Sequence, residues 1–386
     1  MRENSLQRPC PICRNATGEL LHAQKFILSD NHILPSKYDV VACENCGLIF
    51  ADTGANQIIY DRYYSEMSKY ETAYVNNETS LFIERAAWIG TLIHNKDASI
   101  IDVGCGNGQL LLELRKLGFF NLTALDPSPK CIEDIRQQGI NGVVGSVFDI
   151  TSSIRYDAIV LSGVLEHICD VARIMQTLKS LVKSDGLLLI FVPDASRYQD
   201  YDTIPFDYFN IEHINHFNET SLINLGFFHG LRVTNFIKTT IRLSQVEQPV
   251  IFCAYSNCDK TATDWRNYSK KMVLEYIAHT QKNQAANLII DKLAESGEEI
   301  VIWGAGNYTN RLLVASNLSK CNIVMLVDND KHKQGTDING KPIYAPNKLL
   351  NMRNNPTIII AAAVLHNEII AEIKRMELPN KVIVLK

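Results

Sequence analysis

The sequence predicts an α/β protein in three parts: a four-cysteine module, a doubly wound parallel sheet, and a smaller second α/β unit. Three observations predict it. Two C-x-x-C pairs stand near the start, Cys10 with Cys13 and Cys43 with Cys46. From about residue 80 to 255, strand-like apolar runs alternate with helix-like segments, the pattern of parallel βαβ units. The alternation restarts near Glu299, around a second glycine loop. A chain of 386 residues exceeds one ordinary domain. The expected divisions are 1–60, 61–255 and 256–386.

In the first part, the two-residue gap of each C-x-x-C pair lets both sulfurs face one ion. Four such thiolates make a closed tetrahedral zinc site, so Cys10, Cys13, Cys43 and Cys46 are read as structural metal ligands. Two redox or buried cysteine pairs are the alternative. The aromatic stretch from Tyr60 to Tyr74 follows, read either as connecting helix or as cover for the site behind it.

In the second part, Ser99–Val103, Leu122–Asp126, Ala158–Ser162 and Leu187–Val192 read as strands. Leu110–Leu117, Cys131–Gln138 and Val171–Val182 read as helices. Between the first strand and helix lies Asp102-Val103-Gly104-Cys105-Gly106-Asn107-Gly108. Glycines allow close approach of backbone to a nucleoside. Asp126, about twenty residues on, is placed to accept from ribose hydroxyls. In the third part, a helix is expected from Met272 to Ser296. Strands are expected at Glu299–Trp303, Asn322–Val327, Thr357–Ala362 and Lys381–Leu385, with a helix at Glu368–Met376. The loop Gly304-Ala305-Gly306-Asn307-Tyr308-Thr309, with Asp328 after the next strand, is a Rossmann-like pattern that read alone suggests NAD.

Composition sets limits. Hydrophobic residues at 46% and charged residues at 21% suit a folded protein, and a net charge of −4 argues against a nucleic-acid surface. No apolar run reaches signal-peptide or membrane-span length, so a cytoplasmic protein without a membrane partner is expected.

The form D-x-G-C-G-N-G resembles the first motif of class I S-adenosylmethionine-dependent methyltransferases. The resemblance implies that Asp102 meets the ammonium of the cofactor's amino-acid tail. It implies also that Asp149, in Gly145–Asp149, accepts from the adenine, and that Glu166, in Val164–His167, lines the methyl-donor pocket. The order of parts is similar to that of nucleotide-sugar C-methyltransferases, which act on a deoxy-ketosugar linked to a nucleotide. Their Y-H-E-H loop matches Glu212 and His213 here, whereas Asn210 and Ile211 replace the tyrosine and the first histidine. That resemblance implies His213 as base with Glu212 orienting it, and Gly304, Gly306 and Asn307 holding substrate; Tyr208, nearby but out of register, is a further catalytic candidate, and His216, extra to the pattern, a further substrate-binding one. Methylation of oxygen or nitrogen on a glycan or metabolite stays open, as does an NAD-dependent enzyme. A monomer or homodimer is expected.

Overall fold

The computed structural model describes residues 5–29, 32–66, 79–150, 154–201, 204–243, 246–258, 270–283 and 285–386. Tyr70 and Tyr74 lie outside them. The first sheet joins β1 (Gly18–Lys25), β2 (Lys37–Cys43) and β3 (Ile49–Asp52). Its fourth strand comes from far along the chain. Residues Asn215–His216 pair antiparallel with β3, Ile49 against His216 and Phe50 against Asn215. Arg8 clamps this junction. Its buried guanidinium donates to Ala51 O, Cys169 O and Asn215 Oδ1 at 3.2, 2.8 and 2.7 Å.

Two helices follow, α1 (Gln57–Glu66) and α2 (Thr79–Leu92). The central unit then runs β4 (Ile100–Val103), α3 (Gln109–Lys116), β5 (Leu122–Asp126), α4 (Pro129–Gln137), β6 (Asn141–Val144), β7 (Tyr156–Ser162), α5 (Val171–Leu181) and β8 (Val182–Pro193). Next come β9, the Asn215–His216 pair already described, α6 (Glu219–His229), β10 (Leu231–Leu243) and β11 (Val246–Asn257). The sheet order is β10-β11-β8-β7-β4-β5-β6. Strands β6, β5, β4, β7 and β8 are parallel, and β10 and β11 close one edge as an antiparallel hairpin. Chain order reverses on either side of β4, the switch point where such sheets open a ligand crevice.

The third sheet carries β12 (Glu299–Trp303), β13 (Asn322–Val327), β14 (Asp337–Ile338), β15 (Lys341–Tyr344), β16 (Thr357–Ile360) and β17 (Val382–Val384), in the order β14-β15-β13-β12-β16-β17. The single helix expected over Met272–Ser296 is two, α7 (Lys271–Lys282) and α8 (Ala285–Ser296). Asn283 turns extended between them, and its side chain accepts from Ala285 N–H at 3.3 Å. Helices α9 (Asn307–Ala315) and α10 (His366–Arg375) complete the unit.

Packing redraws the expected divisions. Cys10, Cys43, Cys46 and Phe50 share one core with Ile101, Val103 and Leu165, so the cysteine module rests directly on the central sheet. Val273, Tyr276 and Ile277 of α7 pack with Tyr38, Tyr60 and Phe209, not with the third sheet. A boundary at residue 256 therefore assigns α7 to a unit whose core it does not join. Among the described residues no helix is long and apolar enough to cross a membrane.

Candidate functional site

The loop after β4 is shaped for close approach. Gly104, Gly106 and Gly108 all have left-handed φ, at 72°, 52° and 75°. A Cβ on Gly104 would come within 2.7 Å of Val164, and one on Gly108 within 2.7 Å of Ile135. Asp126, at the end of β5, accepts from the Gly106 and Ser128 backbone N–H groups at 2.8 and 2.9 Å. These bonds hold the carboxylate at the crevice mouth, where a ribose would compete for it.

Asp102 is fully buried and Oδ1 has no hydrogen-bond partner. Burial lifts its carboxyl to about 8, with Arg85 opposing and Asp126 adding to the rise. An unfolded aspartate ionises near 4, so the folded protein binds the extra proton between pH 4 and 8. Stability from this group therefore falls as pH rises through that window. An ammonium brought against Asp102 reverses the preference. We predict that S-adenosylhomocysteine binding at pH 7 releases a proton, read as a binding enthalpy that changes with the ionisation enthalpy of the buffer. A buffer-independent enthalpy counts against contact at Asp102. Asp149, by contrast, is the exposed last residue of a short turn, Val147–Asp149, whose Val147 is buried.

A second group of side chains gathers where β7 and β8 end. The turn Leu165–His167 follows β7, and the segment 210–214 lies against it. Ile214 N–H donates to Glu166 O at 2.9 Å, and Asn215 Nδ2 donates to Leu165 O and Ile168 O at 3.0 and 2.8 Å. His167 Nδ1 lies 3.0 Å from Glu212 O. A carbonyl only accepts, so Nδ1 carries the proton and the ring lone pair sits on Nε2. Glu166, His167 and His213 offer ligand atoms within 4.8 Å of one another.

Asn210 explains the departure from the expected loop. Its Oδ1 accepts from the backbone N–H groups of Glu212 and His213 at 3.0 and 2.9 Å. It makes the turn that aims these two side chains, a short-range role open to asparagine and closed to tyrosine. The tyrosines come instead from α1. Tyr63 donates to Glu212 Oε1 at 2.8 Å, and the Tyr64 hydroxyl lies 2.9 Å from His167 Nδ1. Burial first, then Glu212, holds the Tyr63 hydroxyl well above its ordinary pKa.

Two expected site residues are placed elsewhere. Tyr208 stacks face to face on Tyr198 with centroids 3.8 Å apart, and its hydroxyl donates to Tyr201 O. Phe206, which precedes it, stacks on His22, and this fixes Tyr208 in the aromatic core. His216 is a fully buried strand residue whose imidazole burial pushes down to about 3. It is a neutral histidine within the core. Nothing in the periodicity announced a two-residue strand there. The tyrosines of α1 were visible only as an aromatic stretch.

The four cysteine sulfurs lie within 4.8 Å of one another, with Cys10 to Cys46 at 3.4 Å and Cys13 to Cys43 at 3.5 Å. A tetrahedral ion with bonds of about 2.3 Å sets sulfurs about 3.8 Å apart, so the set fits one ion. In the C-terminal unit, Gly304 has φ 111°, and a Cβ there would meet Ala361 O at 2.8 Å. Gly306 precedes α9, and Asn307 is its first residue. Asp328, which an NAD site would need for ribose, accepts from Ala305 and Asp330 N–H groups and pairs with Lys333 at 3.2 Å.

Comparison with known proteins bears on the middle of the chain. Residues 73–235 match the family model described as a methyltransferase domain. The chain carries a class I S-adenosylmethionine-dependent methyltransferase domain. Residues 296–384 match a second model, C2185-like, N-terminal. The ubiquinone biosynthesis O-methyltransferase of Methylocella silvestris is 33% identical over 96 residues, 23% of this chain and 37% of that protein. Human EEF1A lysine methyltransferase 2 is 42% identical over 57 residues, 14% of this chain and 24% of that one. The chain thus spans well under half the length of these two relatives. Among solved structures, the magnesium protoporphyrin IX methyltransferase of Synechocystis with bound SAH has a TM-score of 0.41 at 14% identity, covering 52% of this chain and all of that one. The 1,6-didemethyltoxoflavin-N1-methyltransferase of Burkholderia thailandensis has a TM-score of 0.42 at 14% identity, covering 56% and 98%.

Proposed function

We propose that the chain transfers a methyl group from S-adenosylmethionine to a small acceptor activated by Glu212 and His213. One observation carries this reading: the Gly104–Gly108 loop, the Glu166–His167 turn and the Glu212–His213 turn follow β4, β7 and β8, three adjacent parallel strands whose carboxyl ends lie at one edge of the sheet. Gly104, Gly106, Gly108, Asp102, Asp126, Asp149 and Glu166 hold the cofactor. The acceptor proton passes to the Glu212–His213 pair. The resulting electron pair attacks the methyl carbon in line, and the sulfonium bond breaks to leave the neutral thioether.

The acceptor we favour is a deoxy-ketosugar linked to a nucleotide, methylated at the carbon beside the ketone. A proton on that carbon needs a positioned base, and the buried Glu212 carboxylate, held by Tyr63, is placed to be one. The start of α9, with Gly304, Gly306 and Asn307, offers backbone N–H groups to a diphosphate. Asn210 at the tyrosine position, with O-methyltransferase relatives, supports methylation of an oxygen as the second reading. Zinc held by Cys10, Cys13, Cys43 and Cys46 is structural, since four thiolates leave no open position.

The test incubates purified protein with S-adenosylmethionine and a panel of nucleotide-linked 4-ketosugars in deuterated water. Formation of S-adenosylhomocysteine, with deuterium entering the sugar in the absence of methyl donor, is the expected result. Methyl transfer without that exchange moves the reaction to oxygen. No S-adenosylhomocysteine with any sugar removes the sugar reading.

A further inference from the structure

We propose that Glu166, His167 and His213 bind a divalent cation in the methyltransferase crevice, at a site separate from the four cysteines. The three ligand atoms come from two turns that Asn215 and Ile214 lock together. Two imidazoles and one carboxylate form a donor set for a borderline divalent ion with positions left open for substrate. Glu166 is buried, with its Oε1 3.9 Å from His167 Nε2. Nε2 carries the lone pair of His167, because Nδ1–H is engaged by the Glu212 carbonyl. A backbone carbonyl behind a ligating histidine is the usual arrangement for fixing its tautomer and ring plane. The Tyr64 hydroxyl oxygen, 2.9 Å from the same nitrogen, shares that N–H as a second acceptor. Bonds of about 2.1 Å bring ligand atoms to within about 4.2 Å of each other, so small side-chain rotations close the set from its present 4.8 Å limit.

The inference rests on the methyl-transfer reading for its chemistry. An ion here takes two adjacent oxygens of the acceptor, such as a hydroxyl beside a ketone, and so selects acceptors that chelate. It polarises the ketone and stabilises the enolate that forms when the neighbouring C–H proton leaves. His213 then serves as a ligand. Of the pair, Glu212 takes the proton, its Oε1 already held by Tyr63. The carbon attacks the methyl group, and the electron pair of the breaking bond returns to sulfur.

The experiment titrates Mn2+ alone into zinc-loaded protein and follows loss of the free-ion EPR signal. Mn2+ prefers oxygen and nitrogen donors over thiolates, which separates the two sites. One tightly held Mn2+ per chain is expected, weakened at least about a hundredfold in Glu166→Gln and His213→Gln. Replacing Tyr64 by phenylalanine should weaken it by about 10-fold or more, the usual effect of losing an outer-shell partner. Melting curves and circular dichroism of the variants check that they fold. An unchanged Mn2+ signal with wild-type protein overturns the site, as does binding that survives Glu166→Gln and His213→Gln. Methylation that persists without added ion and shows no response to Mn2+ also overturns it, while leaving the methyl-transfer reading standing. Mn2+ binding with no methylation of any acceptor keeps the site and removes the methyl-transfer reading.

Discussion

Replacing Glu212 by glutamine should lower turnover by about 10²–10⁴-fold while leaving S-adenosylhomocysteine affinity unchanged. The amide keeps the size of the carboxylate and its contact with Tyr63 but loses the charge and the basicity. Three local devices aim this group. The Asn210 side chain holds the backbone turn, His167 ties the Glu212 carbonyl, and Tyr63 fixes one carboxylate oxygen. The carboxylate is at the edge of full burial, so it meets an acceptor with little water to displace. Glu212 lies on the segment after β8, and the cofactor loop follows β4, so binding of the cofactor should be spared. Initial rates of S-adenosylhomocysteine formation at saturating cofactor give the first quantity and calorimetry the second. Turnover within a factor of two of wild type would take Glu212 out of the chemistry. Tyr63→Phe offers a graded companion, expected to reduce turnover less, since the carboxylate stays in place with one hydrogen bond fewer.

Stripping zinc, or replacing Cys46 by serine, should destabilise far more than the small N-terminal sheet. A four-thiolate zinc site contributes roughly 10–16 kcal/mol of apparent binding free energy. In a free-standing module that loss stays local. Here Cys10, Cys43 and Cys46 share a core with Ile101, Val103 and Leu165 of the methyltransferase domain. The sheet is closed by Asn215 and His216 from the site loop, and Arg8 links it to Cys169 and Asn215. Losing even half of the zinc contribution, at about 2–4 °C per kcal/mol for a unit of this size, lowers the Tm by about 10 °C or more. The cysteine sheet and the central sheet should melt together. Scanning calorimetry with a zinc-sensitive dye tests this. A separate early transition for the cysteine module, with the methyltransferase transition unmoved, would contradict the shared core.

How much of this was legible follows from the range of the interactions involved. The loop from Asp102 to Gly108, Asp126 and the strands β4, β5, β7 and β8 depend on local backbone demands, so spacing alone revealed them, whereas the short β6 went unread. Left-handed φ needs glycine, and a buried parallel strand needs an apolar run. The two C-x-x-C pairs were legible for the same reason, since each pair is a local turn. The helix break at Asn283, the antiparallel edge β10–β11 and the short β9 were not. Strand β10 is half exposed along an edge, and β9 is two residues held by a partner far away in sequence.

The acceptor end of the site divides the same way. Glu212 and His213 are legible in the sequence because they match the last two positions of the Y-H-E-H loop. Tyr208 was picked for nearness in sequence, and the aromatic stack with Tyr198 turns it away. The partners of Glu212 are Tyr63, 149 residues earlier, and His167, 45 residues earlier. By itself, then, the sequence determined the three-part α/β plan, the glycine loop with its acidic partner, and the four sulfurs. Only the tertiary structure decided which tyrosines reach the site, that Asn210 builds its turn, that His216 is core, and that Glu166, His167 and His213 converge. The physical reason is that backbone conformation is set within a few residues, whereas the meeting of side chains depends on which turns the packed sheets bring together.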